Sequence, residues 1–316
     1  MPLDPSLFAA LAGLGVAPPA EAEDPEEQRK RAYDYECAVY PRLGPPGPEL
    51  PVREHVVPVE GYPDAPVRLY YPDEPGAGTG LPVCLFFFGG AWRQGGVHHP
   101  GVAAQCALRA ARAGVVVAAV SYALAPEHPF PAAVEQAYAV LGWLVREAGR
   151  LGVDRTRIAV AGQSSGGNIA AALTLVNRDR AGYPLASQIL EVPALDLTSG
   201  HLDLDAVELT DEQRAGLARV VAQYVPREQD RRDPRASPLL AERFDGLPPA
   251  YVFTAEIDPL RGDGEAYAAA LAGAGVPVAA LRLVGQTHES GVYERVSATA
   301  RVAQAAIADA LRALHS

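Results

Sequence analysis

Pro82 to Phe88 is an unbroken apolar run of seven residues, and it constrains the fold more than any other segment. It is far too short to span a membrane, which takes roughly 20 residues. It also lacks the polar alternation of a strand with one face in water. A run of this kind suits a strand buried on both faces, as in the middle of a parallel sheet. Strand-like and helix-like segments alternate after it. Gly114–Val120, Arg157–Ala161, Gln188–Val192, Ala250–Thr254 and Val276–Val284 are strand candidates. Ala103–Ala113, Ala132–Glu147, Ser164–Asn177, Gly264–Ala274 and Val292–Leu314 are helix candidates. This order predicts an α/β fold, a mostly parallel sheet with helices on both faces. Val52–Val59 and Val67–Tyr71 read as two earlier strands around a turn at Gly61–Asp64.

Two stretches stand outside the alternation. Residues 1–50 read as a helical, Pro-rich preface. Its apolar segment Leu7 to Val16 has no basic residue before it and follows Asp4, which points to an amphipathic helix and away from a secretory signal. Asp24-Pro25-Glu26-Glu27 is a helix start, and Pro41 to Pro51 reads as a connector. Residues 196–244 hold a charged helix near Thr210–Tyr224 and the charged Pro226–Arg235 stretch, and they read as an insertion over the C-terminal edge of the sheet. The core is then residues 51–195 and 245–316. The Gly76–Gly80 cluster leads into a strand, so it is a loop and no phosphate cradle.

Gly162-Gln163-Ser164-Ser165-Gly166 fits the G-x-S-x-G pattern. Five residues recur by chance, but here an apolar strand precedes them and a helix-forming run follows. In that setting the serine sits on a tight turn at a helix N-terminus, where the dipole and the free N–H of Ser165 favour developing negative charge. A serine hydroxyl needs a base to take its proton, and in this order of elements the partners follow as acid, then histidine. Asp258 and His288 each fall just past a strand candidate. Glu256 and Asp263 are the nearby competitors for the acid.

Together these residues resemble the bacterial hormone-sensitive-lipase-like esterases, over nearly the whole chain. The likeness includes Tyr122-Ala-Leu-Ala-Pro-Glu-His-Pro-Phe-Pro131, Asp233-Pro-Arg-Ala-Ser-Pro-Leu-Leu240, Asp258-Pro-Leu-Arg261 and Gly264-Glu265-Ala266-Tyr267. The resemblance implies an α/β-hydrolase with an eight-stranded sheet, a small helical cap built from the N-terminus and the insertion, and no cofactor. It departs from the family at the oxyanion loop, where His-Gly-Gly-Gly is replaced by Phe88-Gly89-Gly90-Ala91, followed by Trp92. The oxyanion donors are expected to be the backbone N–H groups of Gly89, Gly90 and Ser165. Phe88, Ala91, Trp92 and Gln163 are expected to touch substrate. Gln163 replaces the family's acid before the nucleophile, Ser121-Tyr122-Ala123 its Asp-Tyr-Arg, and Glu289-Ser290 its Gly-Phe after the histidine.

The expected activity is hydrolysis of small to medium acyl esters through an acyl-enzyme. Acyl transfer, amide hydrolysis or a cyclase or elimination role on the same scaffold is the alternative that the altered loop motivates, and a non-catalytic binding protein is another. With 27 Lys and Arg against 38 Asp and Glu, the chain has no basic excess to offer nucleic acid or an anionic membrane. No HExxH, P-loop or clustered ligand spacing marks a metal or phosphate site. His98 and His99 fit a solvated loop, with the entrance to the site as the other reading. Cys37, Cys84 and Cys106 have no CxxC spacing. Cys84 and Cys106 are expected to be buried thiols, which suits a reducing cytoplasm. The partner expected is a small-molecule ester, and the oligomeric state stays open, a homodimer included.

Overall fold

The computed structural model describes residues 2–74 and 80–316. The Gly76–Gly80 cluster, save Gly80, therefore lies outside the described residues. The apolar run forms β3 (Leu81–Phe87), whose Val83, Cys84, Leu85, Phe86 and Phe87 are buried. β3 lies between β4 (Val116–Val120) and β5 (Val153–Gln163) and runs parallel to both. Outward from β5 come β6 (Ser187–Glu191), β7 (Ala250–Ile257) and β8 (Val278–Thr287), all parallel. On the other side β2 (Ala65–Tyr70) is antiparallel to β4 and to β1 (Val52–Val57). The eight strands make one sheet in the order β1-β2-β4-β3-β5-β6-β7-β8. All the parallel strands end at one edge, so the loops that follow them gather there.

Helices cover both faces. α3 (Pro100–Ala113) packs with α8 (Ala298–Arg312), and α4 (Ala132–Leu151) packs with α5 (Ser165–Asp179). α7 (Arg261–Gly273) lies against β7 and β8. α3 and α4 each stop at a glycine in the left-handed region, Gly114 and Gly152, where a side chain would be strained. Among the described residues no helix is long and apolar enough to cross a membrane.

Outside the sheet, α1 (Pro5–Ala12) and α2 (Pro25–Leu43) precede it, and α6 (Asp211–Tyr224) lies between β6 and β7. Asp24 caps α2 by accepting from Glu27 N–H, and Thr210 with Gln213 forms a capping box on α6. Among the boundaries that differ from the sequence reading, two have a plain physical cause. α2 continues through Pro41 to Leu43, because Val39, Tyr40 and Leu43 bury one face of its last turns; the connector starts at Gly44. The final helix starts at Ala298, not Val292. Ser297 caps it, and Ser290–Val292 forms a separate 3-10 turn.

A buried ion pair joins the layers. Arg109 on α3 donates to Glu191 at the end of β6 (2.7 Å), and the same nitrogen reaches Gln105 (3.3 Å) and Gln304 on α8 (3.2 Å). Arg109 and Glu191 are only 2% and 6% exposed. Removing one partner strands the other charge in a dry interior, at a cost of about 3–5 kcal/mol. Arg109→Leu should therefore lower unfolding free energy in urea by about that much. The double variant Arg109→Leu/Glu191→Leu should recover much of the loss. A double variant as unstable as the sum of the singles would contradict this.

Candidate active site

β5 ends at Gln163 and α5 begins at Ser165, so Ser164 makes the turn alone, at φ +54° and ψ −117°. That conformation costs an L residue about 1–3 kcal/mol and persists because packing leaves no alternative. A Cβ on Gly162 would come within 2.1 Å of Gly166 O, and one on Gly166 within 2.1 Å of Phe87 O. Ser164 N–H donates to Glu191 O at 2.8 Å, which ties the turn to β6.

The other two groups arrive from neighbouring strand ends. Asp258 follows β7 and is buried; its Oδ1 accepts from Leu260 N–H. His288 follows β8 directly. His288 Nδ1 lies 2.7 Å from Asp258 Oδ2, and His288 Nε2 lies 2.8 Å from Ser164 Oγ. The competitors for the acid are engaged elsewhere. Glu256 accepts from Gly285 N–H, and Asp263, which burial pushes up to about 7, accepts from Leu195 and Asp196 N–H. For His288, burial acts to lower the pKa, but the charge and hydrogen bond of Asp258, with a contribution from Glu289, outweigh it and raise the value above the ordinary 6.5.

The loop after β3 faces the serine. A Cβ on Gly89 would lie 3.4 Å from Ser164 Cβ and 3.1 Å from Gln163 O, so the backbone comes close to the elbow and a side chain there would be tight. Gly90 is at φ +143° and its carbonyl accepts from Arg93 and Gln94 N–H. Among the described residues the N–H groups of Gly89, Gly90 and Ser165 have no acceptor.

Four side chains were expected to meet substrate, and two of them do not face the cavity. Ala91 and Gln163 line it. Phe88 instead turns inward, 1% exposed, and stacks on Tyr122 at 4.3 Å between ring centroids. Tyr122 in turn donates to Phe88 O at 2.9 Å. Trp92 also turns inward and stacks on Tyr224 of α6, 4.5 Å away and nearly coplanar in tilt at 5°. Both rings are too apolar to stay in a wet loop when an aromatic partner lies beneath it.

The cavity above Ser164 and His288 has a volume of about 480 Å³. Much of its wall comes from the preface: Pro18, Glu21, Tyr35, Glu36 and Tyr40 all line it. His99 lines it too, with its Nδ1 2.7 Å from Glu36 Oε2, while Glu36 Oε1 accepts from Gly101 N–H. His98 is exposed. Sequence reasoning left His99 on a solvated loop and missed Glu36, because 63 residues separate the two partners and neither stands in a motif. Gln105, Glu289 and Tyr293 complete this side. Among the described residues no three His, Cys, Asp or Glu side chains gather as a metal ion would require.

Known proteins resemble the chain in both sequence and shape. A family described by the alpha/beta hydrolase fold matches residues 84–291. The carboxylesterase NlhH of Mycobacterium tuberculosis is 41% identical over 241 residues, 73% of this chain and 72% of that one. An arylesterase of Saccharolobus solfataricus is 34% identical over 251 residues, 77% of this chain and 78% of its own. The structure of a hyperthermophilic esterase from the archaeon Pyrobaculum calidifontis superposes with a TM-score of 0.86 at 33% identity, covering 100% of this chain and 99% of that one.

Two outcomes follow from the geometry. His288 must be neutral to take a proton from Ser164, so kcat/KM should fall as pH drops through a value above 6.5. Asp258→Asn should move that acidic limb to lower pH and cut kcat by about ten-thousandfold; a pH–rate profile with an unmoved limb would contradict the assignment. Phe88→His would trade a buried ring stack for an unpaired imidazole. It should lower stability by roughly 2 kcal/mol in thermal unfolding and leave kcat no higher.

Proposed function

Because the chain belongs to the bacterial hormone-sensitive-lipase-like branch of the α/β-hydrolase family, we propose that it hydrolyses carboxylic esters through an acyl-enzyme on Ser164. The observation that carries this reading is the line of contacts from Ser164 Oγ to His288 Nε2 at 2.8 Å and from His288 Nδ1 to buried Asp258 at 2.7 Å. His288 takes the Ser164 proton as Oγ attacks the ester carbonyl. Asp258 holds the ring in the tautomer that leaves Nε2 free to accept, and it stabilises the imidazolium that forms. The developing oxyanion sits against the N–H groups of Gly89, Gly90 and Ser165, in a site whose donors need no rearrangement. His288 then hands its proton to the leaving alcohol. Water repeats the sequence in the second half and frees the acid.

Residues 1–50 and 196–244 act as a cap over this site. Polar ties support that assignment. Glu21 accepts from both Arg93, beside the oxyanion loop, and Arg219 on α6, and Arg29 on α2 donates to Arg93 O and Ala125 O. Small to medium acyl esters fit the 480 Å³ cavity. A compartment that keeps thiols reduced suits the three free cysteines, of which Cys84 and Cys106 are pushed up to about 12 by burial. The net charge of −11 gives nucleic acid no attraction. For a homodimer, the open edge of β8 is the surface we favour, since its Ala279 to Arg282 are exposed.

Ser164→Ala and His288→Ala should each reduce p-nitrophenyl ester turnover by about a thousandfold or more, and the double variant by little beyond that, because the groups act as a unit. Across a panel of p-nitrophenyl esters, kcat/KM should peak at short or medium acyl chains and decline for long ones. Near-normal turnover by Ser164→Ala would overturn the mechanism, and rates that rise into long, micellar substrates would overturn the size range.

A further inference from the structure

The half of the cavity beside His288 differs chemically from the rest. Three aromatic rings stand there: Tyr35, Tyr40 and Tyr293 line the cavity and pack in one cluster with Val39 and Val292. Two carboxylates line the same half, Glu36 and Glu289. Glu36 is fixed by His99 and Gly101 N–H. Glu289, which follows His288 directly, is exposed at the cavity and has no ion-pair partner among the described residues. Arg93, the one arginine lining the cavity among the described residues, is held by Glu21.

A second observation marks this wall as built for a ligand. Tyr293 and Gln105 are 9% and 6% exposed, so both are more than nine-tenths buried, and both line the cavity. The Tyr293 hydroxyl and the Gln105 Nε2 have no partner among the described residues, although Gln105 Oε1 accepts from Arg109. Neither atom is sealed from solvent, so both are open to a polar group that enters the cavity. The field of the carboxylates reaches these rings: burial first, and Glu289 after it, raise the phenol pKa of both Tyr35 and Tyr293.

This surface discriminates among ester tails. An alkyl tail would desolvate Glu289 and leave Tyr293 and Gln105 unmet. A carboxylate tail would meet Glu36 and Glu289 at close range. A cation would meet aromatic rings and an unpaired carboxylate together, the pairing by which proteins hold quaternary ammonium groups. The side of the ester follows from the chemistry. His288 delivers its proton to the leaving oxygen, so the wall formed by Glu289, Val292 and Tyr293, next to His288 in the chain, flanks the leaving alcohol.

We propose that the Tyr35–Glu36–Tyr40–Glu289–Tyr293 wall receives a cationic amine on the alcohol portion of the substrate, so that the preferred substrates are esters of amino alcohols. This rests on the ester-hydrolase reading above and deepens it. The test compares kcat/KM for acetylcholine with that for its uncharged isostere, in which a tert-butyl group replaces trimethylammonium. The two esters share size, acyl group and reacting bond, so the ratio reports the charge alone. It should be about tenfold or more in favour of the cation, carried mainly by KM. Glu289→Gln and Tyr293→Leu should each bring the ratio several-fold closer to one. A ratio near one in the unaltered protein, or a ratio that neither substitution moves, overturns the proposal. If neither ester turns over, the hydrolase reading fails separately, and calorimetry of choline with Ser164→Ala then decides the cation site. Saturable binding weakened by Glu289→Gln supports it; no binding overturns it.

Discussion

The backbone stack at the end of β5 is the constraint on which the rest depends. Gly162 is crowded against Gly166, and Gly166 against Phe87 and Phe88, so closely that neither can carry a Cβ without displacing backbone, while Gly89 packs tightly on Gln163 and Ser164. This crowding forces Ser164 into the left-handed region and lifts its hydroxyl clear of the sheet. The same proximity brings the Gly89 backbone within reach of the atom that Oγ attacks. Nucleophile and oxyanion donors are thus set by one steric arrangement. His288 and Asp258 need only come from the next strand ends to complete it.

That arrangement was legible in the sequence because each part of it is local. Pro82 to Phe88 could be read as a buried strand from its lack of polar alternation, and it is one. The elbow announced itself by small residues between a strand and a helix, and Asp258 and His288 by their places after strands. Side-chain direction on the oxyanion loop was not legible. Phe88 and Trp92 lie beside the oxyanion-loop glycines in sequence, yet their partners, Tyr122 and Tyr224, are set by the fold and turn them inward. For the same reason the Glu36–His99 pair left no trace in either segment. The early end assigned to α2 was a local rule overruled by burial: Pro41 can sit in a last turn whose neighbours Val39, Tyr40 and Leu43 are packed.

Polar and apolar contacts divide the labour between chemistry and access. The sheet and its helices are held by a continuous apolar core, with Arg109 and Glu191 as the one deep ionic contact described above. The segments over the site add polar links to a smaller apolar cluster, in which Leu7, Val39, Tyr40 and Leu43 pack with Val292 and Tyr293. Glu21 bridges Arg93 and Arg219, and Gln28 reaches Gln94. Such partly solvated links give modest stability each and can open individually, whereas the Trp92–Tyr224 stack supplies an apolar anchor between loop and α6. The catalytic groups stand at strand ends of the continuous core, and the polar links lie in the segments over the cavity.

The connector from Gly44 to Pro51 separates these parts along the chain as well as in space. The wall residues before it run from Pro18 to Tyr40, and the nucleophile, base and acid all come after it. A single genetic crossover in that connector would exchange a large share of the substrate-facing surface and leave the triad's coding sequence intact.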